Sequence, residues 1–403
     1  MLSALKYPHF RRFWFGNAAA VGGQQIMWLA QGVLVFDLTG QAFAIGYVGL
    51  ATAAPAILLN LVGGVVADRI DQRKIIFVTQ IVTAASVGLL AFLVAADVVE
   101  VWHVVAVAFV GGCTQAFNNP ARQAIFPALV ERKDLMNAVA LNSMVWQSMR
   151  IIAPAAGGLA LATVGVAATY TLVCAGFLLL GVAVIGLPAQ PSQRSRRATP
   201  LADLKEGLRF ISANFLFTFL IGMSFFNSFF GFSTQQLMPV FTEEILHVSK
   251  FWLGILLSVS GIGAILGIGA LGYAGDIERK GLLIIGGATA FGAFIILFAL
   301  STFYPLSLVM MFLMGAAGTV YMITVQTTLQ MRVPDELRGR VMGIYGITHN
   351  VGPLGALQAG YIADTVSPPA ALIVGGVAII VFAVGIAYSN RSVRTLQSAP
   401  AAA

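Results

Sequence analysis

Leu282–Ser301 reads LLIIGGATAFGAFIILFALS, an uninterrupted apolar run without one Asp, Glu, Lys or Arg. A helix of about 20 residues rises far enough to cross a hydrocarbon core of about 30 Å. Working outward, comparable runs recur at Phe13–Phe36, Ala44–Val66, Ile75–Ala95, Val101–Phe126, Asn137–Val164 and Ala167–Leu187. A second set follows at Phe215–Phe241, Phe251–Ala274, Pro305–Met331, Val341–Ala363 and Ala370–Ser389. Of the 403 residues, 58% are hydrophobic and only 10% charged. Soluble domains carry roughly 25% charged residues, so lipid is the solvent for most of this chain. Lipid offers no partner to an unpaired amide, and the runs lack the alternation of a barrel strand. The expected fold class is an all-α membrane protein of twelve transmembrane helices.

Charge placement orients those spans. Lys6, Arg11 and Arg12 precede the first, Arg69, Arg73 and Lys74 follow the second, and Arg122, Arg132 and Lys133 lie between the fourth and fifth. Arg194, Arg196, Arg197, Lys205 and Arg209 sit mid-chain, and Arg279, Lys280, Arg332, Arg338, Arg340, Arg391 and Arg394 fall on the same side. Of the 23 Lys and Arg, only Lys250 lies on the other side and only Arg150 lies deep in a span. The positive-inside rule then places both termini in the cytoplasm, in a multi-pass protein of the inner cell membrane. The net charge of +7 is spent on this topology, which excludes a nucleic-acid partner. The short basic start, Met1 to Arg12, and the long first run argue against a cleavable signal peptide. Cys113 and Cys174 fall inside spans and read as small core residues.

The chain repeats itself. Leu129–Leu135 (LVERKDL) has a counterpart about 200 positions later in Arg332–Arg338 (RVPDELR). Arg150-x-x-Ala153-Pro154 is matched by His349-x-x-Gly352-Pro353, and Gly64-x-x-x-Asp68 by Gly272-x-x-x-Asp276. The expected domains are a six-helix bundle over residues 1–187, a linker over 188–213 and a second bundle over 214–403. In the linker, Thr199-Pro200 starts a short amphipathic helix with Leu201, Leu204, Leu208 and Ile211 on one face. Parallel six-span repeats place a substrate site near the midplane and work by alternating access.

Gly64-Val-Val-Ala-Asp68-Arg69-Ile-Asp71-Gln72-Arg73-Lys74 resembles the signature loop of the major facilitator superfamily. The resemblance implies that fold, and a conformational latch formed by Gly64, Asp68, Arg69, Arg73 and Arg122. Asp71 and Gln72 depart from the usual glycine and basic residue. Ala153-Pro154-Ala-Ala-Gly157-Gly158 is similar to the end of the antiporter signature, with Ala153 in place of glycine. Small residues there, with Pro353 in the second half, imply close helix packing. Together with Asn119-Pro-Ala-Arg122-Gln123 and Pro334-Asp-Glu-Leu-Arg338-Gly-Arg340, the chain resembles the branch that holds the enterobactin exporter and macrolide efflux pumps.

Polar groups inside spans are the candidate substrate ligands: Gln24, Gln25, Gln147, Arg150, Asn227, Gln326 and Asn350, with the aromatic Phe230. A charge in mid-span is costly and faces a bundle interior or a watery cavity, so Arg150 points to an anionic or electron-rich substrate. No carboxylate occupies a midplane; Asp37 and Asp364 lie at outer ends of spans. His349, the one intramembrane group that titrates near neutrality, completes the candidate coupling set with them. The sequence shows no metal-ligand cluster, no nucleophile–base pair and no phosphate loop with a lysine, so neither an enzyme nor an ATP-driven pump is expected, and neither a cofactor nor a metal. The partners implied are a small molecule, anionic or aromatic, the membrane lipid, and a proton as candidate coupling ion. The leading reading is a secondary exporter of amphipathic drugs or siderophore-like metabolites. An importer or lipid translocator on the same fold, and a non-transporting receptor, are the alternatives.

Overall fold

The computed structural model describes residues 3–188, 200–275 and 279–389; the side chains of residues 61, 68, 200–204 and 349 are outside that description. The latch aspartate Asp68 and the coupling candidate His349 therefore lie outside the described side chains, as do Leu201 and Leu204. Residues 189–199 of the mid-chain linker, Asp276 and the last two arginines lie outside the described residues altogether.

Among the described residues every regular element is helical. In chain order the α-helices are α1 (Pro8–Thr39), α2 (Ala42–Arg69), α3 (Gln72–Ala95), α4 (Val101–Ile125), α5 (Leu135–Thr163) and α6 (Gly165–Ile185). Then come α7 (Pro200–Ala213), α8 (Phe215–Phe226), α9 (Phe232–Gln236), α10 (Met238–Glu244), α11 (Lys250–Ala274) and α12 (Lys280–Ala299). The last are α13 (Tyr304–Arg332), α14 (Asp335–Thr348), α15 (Gly352–Thr365) and α16 (Pro368–Ser389).

The chain divides into two compact units. One comprises residues 1–197 and 248–258, the other 198–247 and 259–403. Each pins a pair of helices by reciprocal small-residue contacts. In the first unit a β-carbon on Gly63 of α2 would lie 2.0 Å from the Ala116 carbonyl oxygen, and one on Gly112 of α4 would lie 2.1 Å from that of Thr52. In the second, a β-carbon on Gly263 of α11 would lie 2.0 Å from the Phe312 oxygen, and one on Gly315 of α13 would lie 1.9 Å from that of Ser260. Only glycine permits backbones this close, and lipid-embedded helices rely on such van der Waals contact because burial from lipid adds no hydrophobic drive.

Among the described residues, ten helical stretches are long and apolar enough to cross a membrane. The sequence reading expects twelve. Neither of the two remaining segments passes as one continuous apolar helix. In α5, Asn137, Asn142, Gln147 and Arg150 dilute the hydropathy of an unbroken helix. The run Val341–Ala363 is split by a 3₁₀ turn over His349–Val351 into the end of α14 and α15. The seventh run is interrupted too, by a π-helical segment over Asn227–Gly231 and a break at Leu237 between α9 and α10. Arg122, read from sequence as a loop residue, lies inside α4 and is buried.

Outside the apolar stretches, Asp71 caps α3 by accepting from the Arg73 amide at 3.0 Å. The α7 helix packs on α14, where Glu206 and Arg340 pair at 2.7 Å. Ile211 is buried there but Leu208 is half exposed, so the expected apolar stripe is only partly covered.

Candidate functional site

Inside the first unit, α1, α3, α4 and α6 surround a polar cleft, open on one side, with room for about one or two waters. Gln24 enters from α1, Gln80 and Thr83 from α3, and α4 contributes Thr114, Asn118 and Arg122. The α4 residues stand four apart, so one stripe of that helix carries all three into the interior.

Side-chain hydrogen bonds cross-link the cleft. Thr83 and Thr114 hydroxyls meet at 2.8 Å, and Asn118 Nδ2 donates to Thr79 Oγ1 at 2.5 Å. Arg122 Nη1 donates to Asn17 Oδ1 at 3.2 Å, and Asn17 Nδ2 donates to Asn142 Oδ1 at 3.2 Å, joining α4, α1 and α5. Two buried polar atoms on the cleft wall have no partner: Arg122 Nε and Gln80 Oε1. Gln31 Nε2, on α1, is likewise buried and unpaired. A buried charge that keeps a free donor is expensive, since an arginine at a helix centre costs about 2.5–3.5 kcal/mol on insertion scales. No acidic side chain lines this cleft among the described residues.

The residues singled out from sequence are distributed over several places. Gln24 and Arg122 belong to the cleft; Gln25 on α1 and Gln147 on α5 are half-buried and are not part of its lining. Arg150 is exposed on α5 and is not among the residues that line the cleft. Asn227 and Phe230 sit in the π-helical segment, a distortion that often marks functional positions. Gln326 is exposed on α13, and Asn350 is exposed in the 3₁₀ turn with Nδ2 3.4 Å from the Gly346 oxygen.

Of the coupling candidates, Asp37 pairs with Lys250 at 2.5 Å. Asp364 lies exposed near the end of α15 and, with Glu243, adds to the burial that raises the Glu244 carboxyl above its usual range. Of the latch residues, Gly64 is half-buried and Arg69 exposed. Arg73 pairs with Asp71 at 2.5 Å and donates to the Leu187 carbonyl oxygen beyond α6. Arg122 lines the cleft. The Pro154–Gly158 stretch is tightly packed: a β-carbon on Gly158 would lie 2.8 Å from the Gly254 Cα, and one on Gly254 would lie 2.4 Å from the Pro154 oxygen. Pro154 lacks the amide that would close a helical bond, and next to it Ser258 Oγ donates to the Ile151 carbonyl at 2.6 Å. Pro353 opens α15 within its first two residues.

Sequence reasoning passed over Asn17, Gln80, Thr83, Thr114 and Asn118. Their signal was the four-residue repeat of polar groups on α4, facing a similar Thr79, Gln80, Thr83 cluster on α3.

A family described as transmembrane secretion effector, MFS_3, matches residues 1–402. The chain belongs to this family. It is a multi-pass membrane transporter of the major facilitator type. Among curated relatives, the enterobactin exporter EntS of Escherichia coli O1:K1 / APEC is 27% identical over 392 residues, covering 95% of this chain and 92% of that protein. EntS of Shigella boydii serotype 18 gives the same identity and coverage. Solved structures of the same fold include the nucleoside transporter NupG, with TM-score 0.76 and 16% identity over 94% of this chain and 98% of that one. A bacterial homologue of the human lysosomal transporter Spinster superposes with TM-score 0.71 and 16% identity, over 98% of this chain and 99% of that one. At 16% identity these structural neighbours speak to the fold alone.

Proposed function

We propose that this chain is a secondary active exporter of amphipathic small molecules, drugs or siderophore-like metabolites, in the inner membrane with both termini cytoplasmic. The observation that carries the reading is the likeness to enterobactin exporters along 95% of the chain. The polar interior supports it. A soluble-type apolar core has no use for Gln24, Gln80, Asn118 and Arg122 in one unit's centre, whereas a transporter needs watery polar surface within the bilayer. Exposed Arg150 and Phe225, the latter stacked on Phe229 at 5.5 Å, supply charge and aromatic surface of the kinds an anionic aromatic solute meets.

The test is efflux from intact cells. Cells expressing the wild-type chain are loaded with a fluorescent amphipathic dye or a catecholate siderophore, de-energised and then re-energised. Faster loss than from cells expressing Arg150→Gln at equal membrane level is expected. Accumulation on re-energising would show an importer instead.

A further inference from the structure

The Arg122 cleft is built for charge that nothing described in it neutralises. Arg122 is 9% exposed, its Nε is buried without a partner, and Asn17 takes one of its remaining donors. Water in the cleft can satisfy an N–H but cannot cancel a guanidinium charge in a low-dielectric interior. The surrounding side chains suit an anion. Gln24 and Gln80 present amides, and an amide flip of Gln80 replaces its unpaired buried Oε1 with a donor. The described lining holds no carboxylate that would repel a negative ion. Space for one or two waters admits a halide and excludes a bulky solute.

We infer that this cleft is a binding site for one compact monovalent anion of chloride size, held by Arg122 Nε and the amides of Gln24 and Gln80. The inference goes beyond the transport reading and stands without it, because it concerns binding in the first unit at rest. The ion acts as a counter-charge that completes the buried Asn142–Asn17–Arg122 chain. Halide binding therefore stabilises the folded protein.

The test is thermal unfolding of the purified full chain in detergent at fixed ionic strength, with sodium chloride or bromide replacing sodium gluconate step by step. A ligand that binds only the folded state raises the melting temperature in proportion to the logarithm of its occupancy term. The expected result is a rise of a few degrees that tracks halide concentration, is absent with sulfate, and is lost in Arg122→Gln. In Gln24→Leu, which keeps the charge and nearly the shape, the halide concentration needed for the same rise increases several-fold. Equal melting temperatures of the wild type in halide and gluconate overturn the proposal. So does an undiminished halide effect in Gln24→Leu or in folded Arg122→Gln. If Arg122→Gln does not fold, the halide-against-gluconate series and Gln24→Leu decide. Transport is measured separately in sealed membranes, so failure of either reading leaves the other standing.

Discussion

Arg122 and Asn17, 105 positions apart in the chain, are joined at 3.2 Å in the interior of the first unit. The bond ties the end of α4 to the first half of α1, and Asn17 passes the connection on to α5 through Asn142. Asn17→Leu leaves an Arg122 donor without its protein partner, and a buried donor left unpaired costs about 1–3 kcal/mol, more when charged. The variant is expected to lower the urea or thermal midpoint accordingly, whereas Gln25→Leu, half-buried about two turns further and outside this chain of bonds, changes it little. Equal midpoints for both variants would show that the bond carries no stability.

The glycine crossings are the sharpest stability prediction. A methyl group on Gly315 falls 1.9 Å from the Ser260 oxygen, where neither backbone has room to yield. Overpacking of this kind costs typically 1–3 kcal/mol and sometimes more. Gly315→Ala is expected to reduce folded yield and melting temperature. Gly286→Ala, which meets nothing within 4 Å, is the matched control and behaves as wild type. Size-exclusion profiles of the two variants, expressed side by side, make the comparison.

At the start of the chain, Asp134 accepts hydrogen bonds from Ser3 Oγ at 2.6 Å and Tyr7 OH at 2.8 Å, and pairs with Lys6 at 2.8 Å. Lys6, then Ser3 and Tyr7, hold its carboxyl well below the usual carboxylate range. A lowered acid contributes stability that is complete above its unfolded value, about 3.9 for Asp, and that is lost as pH falls below it. The N-terminal segment should therefore stay docked at neutral pH and loosen only in acid. Asp134→Asn is expected to expose that segment to limited proteolysis at pH 7, and to remove its share of the acid-dependent loss of stability. Unchanged cleavage in the variant would count against the clasp.

The seam around Pro154 makes a further prediction. Ser258 is 5% exposed and donates to a carbonyl in the turn that Pro154 interrupts. Ser258→Ala removes this cross-helix bond, at a cost of about 0.5–1.5 kcal/mol. Pro154→Ala restores an amide aimed at the Arg150 carbonyl, four residues back, and not at the Ile151 oxygen, so its effect should add to that of Ser258→Ala. A double-mutant cycle on melting temperature reads the coupling directly; a large departure from additivity would contradict this assignment of partners.

The membrane-spanning pattern was legible because lipid imposes one blunt demand, apolar side chains for about 20 residues at a time, and runs such as Leu282–Ser301 meet it. The same demand misled where function relaxes it. The α5 helix carries four strongly polar groups from Asn137 to Arg150 and fails the apolar criterion although it is one continuous helix. Arg122 sits three residues from the end of α4, where a charge at a span's edge and a charge turned inward look alike in sequence. Only the three-dimensional meeting of α1, α3 and α4 distinguishes them. Gln24 was legible as a polar group in an apolar run; Asn17, Gln80 and Asn118 were not, because each is unremarkable until its partner on another helix is known.

Export by this chain is tested most directly in inside-out membrane vesicles, where an exporter pumps inward. With the vesicles energised, a catecholate siderophore or a fluorescent amphipathic dye should accumulate in the lumen of vesicles containing the wild-type chain. Arg150→Gln should accumulate much less of an anionic solute at equal protein level, and Arg150→Lys an intermediate amount, because lysine keeps the charge without the planar fork. No accumulation above protein-free controls across such solutes, or energised loss of solute from preloaded inside-out vesicles, would contradict the account.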